Sequence, residues 1–377
     1  MWWGKGFTEW EIVRNAKPLF PGHLQPKVPA GGYFDLTEEG QIEAQFRLAR
    51  SHGIDGFVFY HYWYEKKRPL GKPLDLVLGN RGLDVKFSLC WANHSWTRSW
   101  RNRAGSLDVL IEQTYEKDCG SRRAHYEFLH RAFVDARYIR VDGKPLFQIY
   151  VPEEIPDLAG YLDGLREHCL KASGTGLHVS ALVTGWRPGW GHARHFDSLT
   201  LLQPALALFS PADIFSGNRA GKMDASYWSA RVRALPLPVK KILYRVQDRF
   251  FNRVSMFDYG DVWDKLLVQT ENSHKQGMPV FPCAFVDFDN TPRYGGRARI
   301  IKGFSPESFG GYLKKLLSLS VRSSREGIVF INAWNEWGEG MYLQPDEDFG
   351  NARLTEVLEA KKGALASGGH GTGGGTE

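Results

Sequence analysis

Seven short runs of apolar, β-branched and aromatic residues punctuate this chain, separated by longer amphipathic stretches, and that rhythm constrains the fold more than any other feature. The runs are DGFVFYHYWY from Asp55, VKFSLCWAN from Val85, PLFQIYV from Pro145, LHVSALVTGW from Leu177, SLTLLQP from Ser198, PVFPCAFVDF from Pro279 and GIVFINAWNEW from Gly327. Between them lie helical patterns such as LTEEGQIEAQFRLARSHG, where Thr37 is the expected cap and Gly53 the expected stop. Similar patterns cover residues 126–135, 158–172 and 306–322. Strands alternating with helices belong to βα units around a parallel sheet. The expected fold is therefore α/β, a (β/α)8 TIM-type barrel counted one strand short, its first strand missing from this chain. A doubly wound sheet is the rival, but no G-x-G-x-x-G or G-x-x-x-x-G-K-[ST] follows a strand.

With 377 residues, 42% of them hydrophobic, the chain can bury one large core. Residues 1–362 read as a single domain with a long excursion at about 205–277, followed by a Gly-rich tail, 363–377, expected to be disordered. The net charge is +6, but Lys and Arg are interleaved with Asp and Glu, so no nucleic-acid partner is expected. The excursion carries KKILYRVQDRFFNRV, which points to peripheral contact with a membrane or lipid-linked glycan, though the plainer and preferred reading of the excursion is a barrel helix plus a lid with a solvated face. Cys90, Cys119, Cys169 and Cys283 show no C-x-x-C spacing, and MWWGKGFTEW lacks the apolar core of a signal peptide. A reduced, cytoplasmic protein is expected.

Polar and aromatic residues gather where the strand-like runs end, which is the active-site face of a barrel. The last run ends in INAWNEWGEG, with Glu336 and Glu339 three residues apart. Along a strand such positions face opposite sides, whereas in a helical turn they share one. Gly338 and Gly340 argue for a turn, so the two carboxylates can converge on one cleft. Glycoside chemistry needs such a pair: one group protonates a leaving oxygen while the other handles charge at the anomeric carbon. Crowding raises the pKa of one of them, which supplies the acid. Asn335 and Trp337 flank the pair, and a Trp face suits the C–H face of a sugar.

The second cluster, CWANHSWTRSW, offers Asn93, His94, Trp96 and Arg98 as substrate-binding candidates. Asn and Arg bond hydroxyls or phosphate, and Trp rings form subsite walls. YHYWY adds His61, Tyr62 and Trp63, and DFDNTPRYGGR adds Asp289, Asn290 and Arg293. Asp289 reads equally as a turn-former or a hydroxyl ligand. No stretch has metal-ligand spacing, so neither metal nor cofactor is expected.

In order, WWGKGFTEW, KPLFPGHLQPKVP, GFVFYHYWY, CWANHSWTRSW, LIEQTY, DNTPRYGGR and NAWNEWGEGMYLQPD resemble the WbsX-type family, also called glycoside hydrolase family 99-like, from Trp2 to about Lys361. Its members are described as glycosyltransferases of surface-polysaccharide or O-antigen (lipopolysaccharide) biosynthesis. The fold is similar to family 99 endo-α-mannosidases, which are (β/α)8 retaining hydrolases without a metal. The resemblance implies that Glu336 deprotonates the substrate's own 2-hydroxyl, which attacks the anomeric carbon to give an anhydrosugar, and that Glu339 acts as acid and then base. Two departures stand out. Family chains open with a strand bearing a YLPQFHP-like sequence ahead of WWGKGFTEW, and His94 stands where many relatives carry Glu. The expected function is cleavage or transfer of an α-linked glycosyl unit with retention, on an oligo- or polysaccharide. The rivals are a nucleotide-sugar-dependent glycosyltransferase and a non-catalytic sugar-binding barrel.

Overall fold

The computed structural model describes residues 6–38, 40–97, 109–115, 119–184, 190–210, 253–275, 279–323 and 327–368. All seven apolar runs form strands. They are β1 (Gly56–His61), β2 (Lys86–Trp91), β6 (Lys144–Ile149), β7 (His178–Val183), β8 (Ser198–Leu201), the pair β10 (Val280–Phe281) and β11 (Cys283–Phe285), and β13 (Phe330–Asn332). β3 (Trp96–Thr97) and β4 (Val109–Ile111) make a small antiparallel hairpin, and β5 (Arg140–Val141) folds back on β6.

The main strands pair in parallel in the order β1-β2-β6-β7-β8-β10, and β11 continues to β13. Pro282, which has no N–H to give a ladder, separates β10 from β11. Among the described residues no ladder joins β13 back to β1. Side chains meet there instead, with the Phe57 ring edge-on to Trp334 at 5.3 Å. The inner strands are buried, whereas β1 and β13 are largely half-buried, as expected of strands with one open edge.

Helices cover the sheet. They are α1 (Trp10–Arg14), α2 (Gln41–Ser51), α3 (Lys72–Gly79), α4 (Cys119–Phe133), α5 (Leu158–Ser173), α6 (Ala205–Phe209), α7 (Tyr259–His274), α8 (Thr291–Tyr294), α9 (Pro306–Ser323) and α10 (Ala352–Gly368). Asp157 caps α5 through Gly160 N–H at 3.2 Å, and Asp258 caps α7 through Gly260 and Asp261. The sequence places the start of α2 at Thr37; it starts instead after Gly40, whose φ of 81° interrupts any earlier turn. Thr37 sits in a turn closed by Asp35 Oδ1.

Two boundaries differ from expectation. α7 buries Trp263 and Leu266 completely, so the end of the supposed excursion is a core helix; β9 (Ser255–Asp258) before it pairs with β12 (Arg299–Lys302). Residues 211–252, with nearly all of the basic aromatic stretch, lie outside the described residues. At the other end α10 runs past residue 362 to Gly368 and buries Ala364. Residues 363–368 therefore continue the helix that packs Leu354 and Val357 against Phe309 and Leu313 of α9, because an Ala-containing stretch extends a helix at little cost.

Cys90, Cys169 and Cys283 are buried free thiols. Among the described residues no helix is long and apolar enough to cross a membrane.

One strap positions the site. Residues 19–30 run across the loops that follow β11 and β15 (Met341–Tyr342), with Ala30 N–H bonded to Pro345 O at 3.0 Å and Glu347 N–H to Val28 O at 2.9 Å. Under the strap, Asp346 is paired with Arg353 at 2.8 Å, both side chains essentially inaccessible. Breaking such a pair leaves a buried charge, which costs about 3–5 kcal/mol. Arg353→Ala is therefore expected to lower unfolding stability by that amount in a urea titration; a loss below about 1 kcal/mol would show that the pair does not hold the strap.

Candidate active site

β13 leads into β14 (Asn335–Glu336) and a 3-10 turn over Trp337–Glu339, so the chain does turn where the two glycines fall. Gly340 is left-handed, at φ 67°, and any Cβ there would press on the Asp289 backbone. Asp289 N–H in turn donates to Glu339 O at 2.8 Å. The turn puts Glu336 and Glu339 on one side, as their spacing implies.

What brings them together is Arg293 of α8. Its Nη1 donates to Glu339 Oε1 at 2.6 Å and its Nη2 to Glu336 Oε1 at 2.7 Å. A third carboxylate joins: Glu9 Oε1 also accepts from Nη2, at 2.6 Å. The guanidinium is largely enclosed; burial opposes its charge, but Glu336, Glu339 and Glu9 overcome this and hold its pKa well above the ordinary value. Burial pushes the Glu336 carboxyl up to about 8, Arg293 opposes the rise, and Glu9 and Glu339 add to it. Burial and the acidic neighbours thus favour the protonated form of Glu336 in the free protein.

Aromatic side chains line this cluster. The Tyr62 hydroxyl is raised by burial and then by Glu336, and that of Tyr150, at the end of β6, by burial and then by Glu339. Trp96 stands edge-on to Tyr62 at 5.0 Å, and His94 lies against Tyr150 at 5.4 Å. Asn335 is exposed beside Glu336. Tyr62 and Arg293 thus face the glutamates, Trp96 and His94 pack against the tyrosines that do so, and Asn335 adjoins Glu336 in β14. Arg98 lies outside the described residues.

Other candidates are spent on structure. His61 and Trp63 turn the opposite way, toward α4: His61 Nε2 meets His125 Nε2 at 3.0 Å, and Trp63 stacks on His125 at 4.7 Å. Burial, with Arg68 nearby, pushes the His61 imidazole down to about 3. Asn93 clamps the end of β2 to that of β6, accepting from Val151 N–H at 2.8 Å and donating to Val151 O at 2.7 Å. Asp289 accepts from Gln25 Nε2 at 2.6 Å and Thr291 N–H at 3.0 Å and pairs with His23 at 2.7 Å. Burial raises its pKa, yet those bonds hold it below the ordinary value. Of its two sequence readings, turn-former and hydroxyl ligand, the geometry matches the first. Asn290 accepts from Arg299 N–H at 2.7 Å. Trp337 is buried, donating to Gln344 Oε1 at 2.6 Å and stacked on Tyr342 at 3.7 Å, a floor beneath the turn.

Glu9 and Tyr150 were not among the candidates. Tyr150 ends a strand-like run, the signal used elsewhere in the chain. Glu9 lies within WWGKGFTEW, a motif of the family resemblance, but far upstream of the pair, and only the fold brings α1 against the turn, through Trp10 and Trp337 at 5.6 Å. Among the described residues no cluster of His, Cys, Asp and Glu is fit to hold a metal.

The family model described as Glycosyltransferase WbsX matches residues 1–357. The chain belongs to this family. It is also 30% identical over 364 residues to proteins described as uncharacterized protein WxcX from Xanthomonas campestris pv. campestris strains B100 and ATCC 33913, covering 95% of this chain and 47% of theirs. It thus spans about half the length of these curated relatives. Among solved structures, a glycoside hydrolase-like protein matches with a TM-score of 0.56 and 14% identity, covering 89% of each chain. The GH99 endo-alpha-mannosidase from Bacteroides thetaiotaomicron matches with 0.53 and 11%, covering 94% of this chain and 92% of that one. At such identities the likeness speaks for the fold.

A carboxyl group whose pKa is raised by folding adds stability below its unfolded value of about 4.5 and loses it as pH climbs toward the folded value. Glu336→Gln is accordingly expected to raise the melting temperature by a few degrees at pH 9 and to change it little at pH 5. An equal effect at both pH values would place the buried proton elsewhere.

Proposed function

We propose that this WbsX-family chain is a carbohydrate-active enzyme that cleaves or transfers an α-linked glycosyl unit with retention, on a bacterial cell-surface polysaccharide. The observation that carries this reading is the convergence of Glu336 and Glu339 on one guanidinium, beside Tyr62, Trp96 and Tyr150. The family supports a saccharide substrate. The GH99-like neighbours support the retaining mechanism by fold alone.

In the first step Glu336 takes the proton of the 2-hydroxyl, O2 bonds to C1, and the C1–O bond to the leaving group breaks as Glu339 protonates that oxygen. In the second, Glu339 takes a proton from water or an acceptor hydroxyl, whose oxygen bonds to C1, and the C1–O2 bond breaks with the proton returned from Glu336. Hydrolysis and transfer differ only in which oxygen arrives. Arg293 holds both carboxylates in place throughout, and the aromatic faces keep the sugar ring over them.

We place the eighth strand of a (β/α)8 barrel at the seam between β1 and β13, where no ladder joins the two edges among the described residues. A longer form that contains this strand should protect the outer amides of β1 and β13 from hydrogen exchange; unchanged exchange there would rule the placement out.

Activity tests follow directly. Against α-linked bacterial polysaccharides, with products followed by mass spectrometry and anomeric configuration by NMR, Glu336→Gln and Glu339→Gln are each expected to lower turnover by about 10²–10⁴-fold. Wild-type rates in both variants would sink the reading. Because the first step needs one proton on the glutamate pair, and the pair holds it up to about pH 8, kcat/KM should fall as pH rises through about 8. A profile flat from pH 7 to 9 would assign the proton to another group.

A further inference from the structure

We propose that Glu9 is a third acidic member of this site, a positioning residue that shares one guanidinium nitrogen with Glu336 and so sets how much of the Arg293 charge each central glutamate receives. The inference rests on the functional reading of the pair but concerns a residue outside it.

Four observations support it. Glu9 and Glu336 accept from the same Nη2, at 2.6 and 2.7 Å, whereas Glu339 has Nη1. Nη2 has two N–H bonds, so both contacts are made at once, and the three carboxylates share one delocalised positive charge. The approach of Glu9 is built in: a Cβ at Gly338 would collide with Glu9 Oε1 and crowd Arg293 Nε, so glycine in the turn leaves room for that carboxylate. Delivery is built in as well. Glu9 immediately precedes α1, which is held by Trp10 Nε1 donating to Phe34 O at 2.7 Å and by the Trp10 contacts to Tyr33 and Trp337. Finally, the charge does not balance. Three half-buried carboxylates surround one guanidinium, and an excess of negative charge at short range is relieved by retaining a proton.

The groups facing Glu336 are Arg293 from α8, Glu339 from its own turn, Glu9 from the chain ahead of α1, Tyr62 after β1 and Tyr150 after β6. Of these, burial aside, Glu9 and Glu339 raise the Glu336 carboxyl and Arg293 lowers it. Removing the Glu9 charge deletes a repulsion and leaves the Arg293 charge to the two remaining carboxylates, and both effects favour the ionised form of Glu336. The direction is the same whether Glu336 serves as acid or base.

The test uses the whole chain with carbon-13 at glutamate side-chain carboxyls, titrated by NMR from pH 4 to 10, the Glu336 signal being assigned as the one absent from Glu336→Gln. In Glu9→Gln the Glu336 midpoint is expected to fall by about one pH unit, the size typical of a neighbouring charge. Glu9→Asp, which keeps the charge but draws it back from Nη2, is expected to give a smaller fall. It also serves as the test variant if Glu9→Gln does not fold by circular dichroism. A midpoint unmoved or raised in the folded variants overturns the proposal. The readout needs no substrate, so an inactive protein would count against the functional reading without touching this one.

Discussion

A single guanidinium organises the working end of this protein. Arg293 accepts three carboxylate partners from three separated parts of the chain, Glu9, Glu336 and Glu339, and its enclosure makes each contact matter more than it would in water. Remove the cation and three acidic groups would face one another in a poorly solvated space. The local architecture follows from avoiding this. α8 must present Arg293, the Trp337–Glu339 turn must point both of its glutamates one way, and the leading segment must close over them.

The supporting contacts show the same economy. Asp289, four residues before Arg293, is saturated by His23, Gln25 and Thr291, so it fixes the strap to the start of α8. Asp346 and Arg353 hold the other side of the strap. Trp337 supplies a floor wedged between Trp10 and Tyr342. The site is thus positioned by polar contacts that are themselves buried, which holds charged groups at fixed separation.

Much of this was legible in the chain. All seven strands follow from short apolar runs, because a parallel sheet covered by helices demands them. The glutamate pair was legible from spacing and glycine, since only a turn puts positions three apart on one side. Tyr62 and Trp96 follow from their places at strand ends. What failed to show was direction and partnership. His61 and Trp63 share a strand-end motif with Tyr62, yet alternation along the chain turns them to the helix side, against His125. Asn93 and Asp289 look like ligands until their hydrogen bonds are counted. Glu9 is 284 residues from its partner Arg293, and no local pattern reports a contact of that range. Nor did composition anticipate that α10 would run into the Gly-rich end.

The central claim is that the carboxylates gathered on Arg293 are where a glycosidic bond is handled. Its most direct test is a crystal structure of the Glu339→Gln variant with an oligosaccharide that a glycan array shows it to bind. The expected result is a sugar ring against Tyr62 and Trp96, its anomeric carbon within about 4 Å of the side chains at positions 336 and 339, and its 2-hydroxyl hydrogen-bonded to Glu336. A sugar seated elsewhere, with the Arg293 cluster intact and untouched, would contradict it.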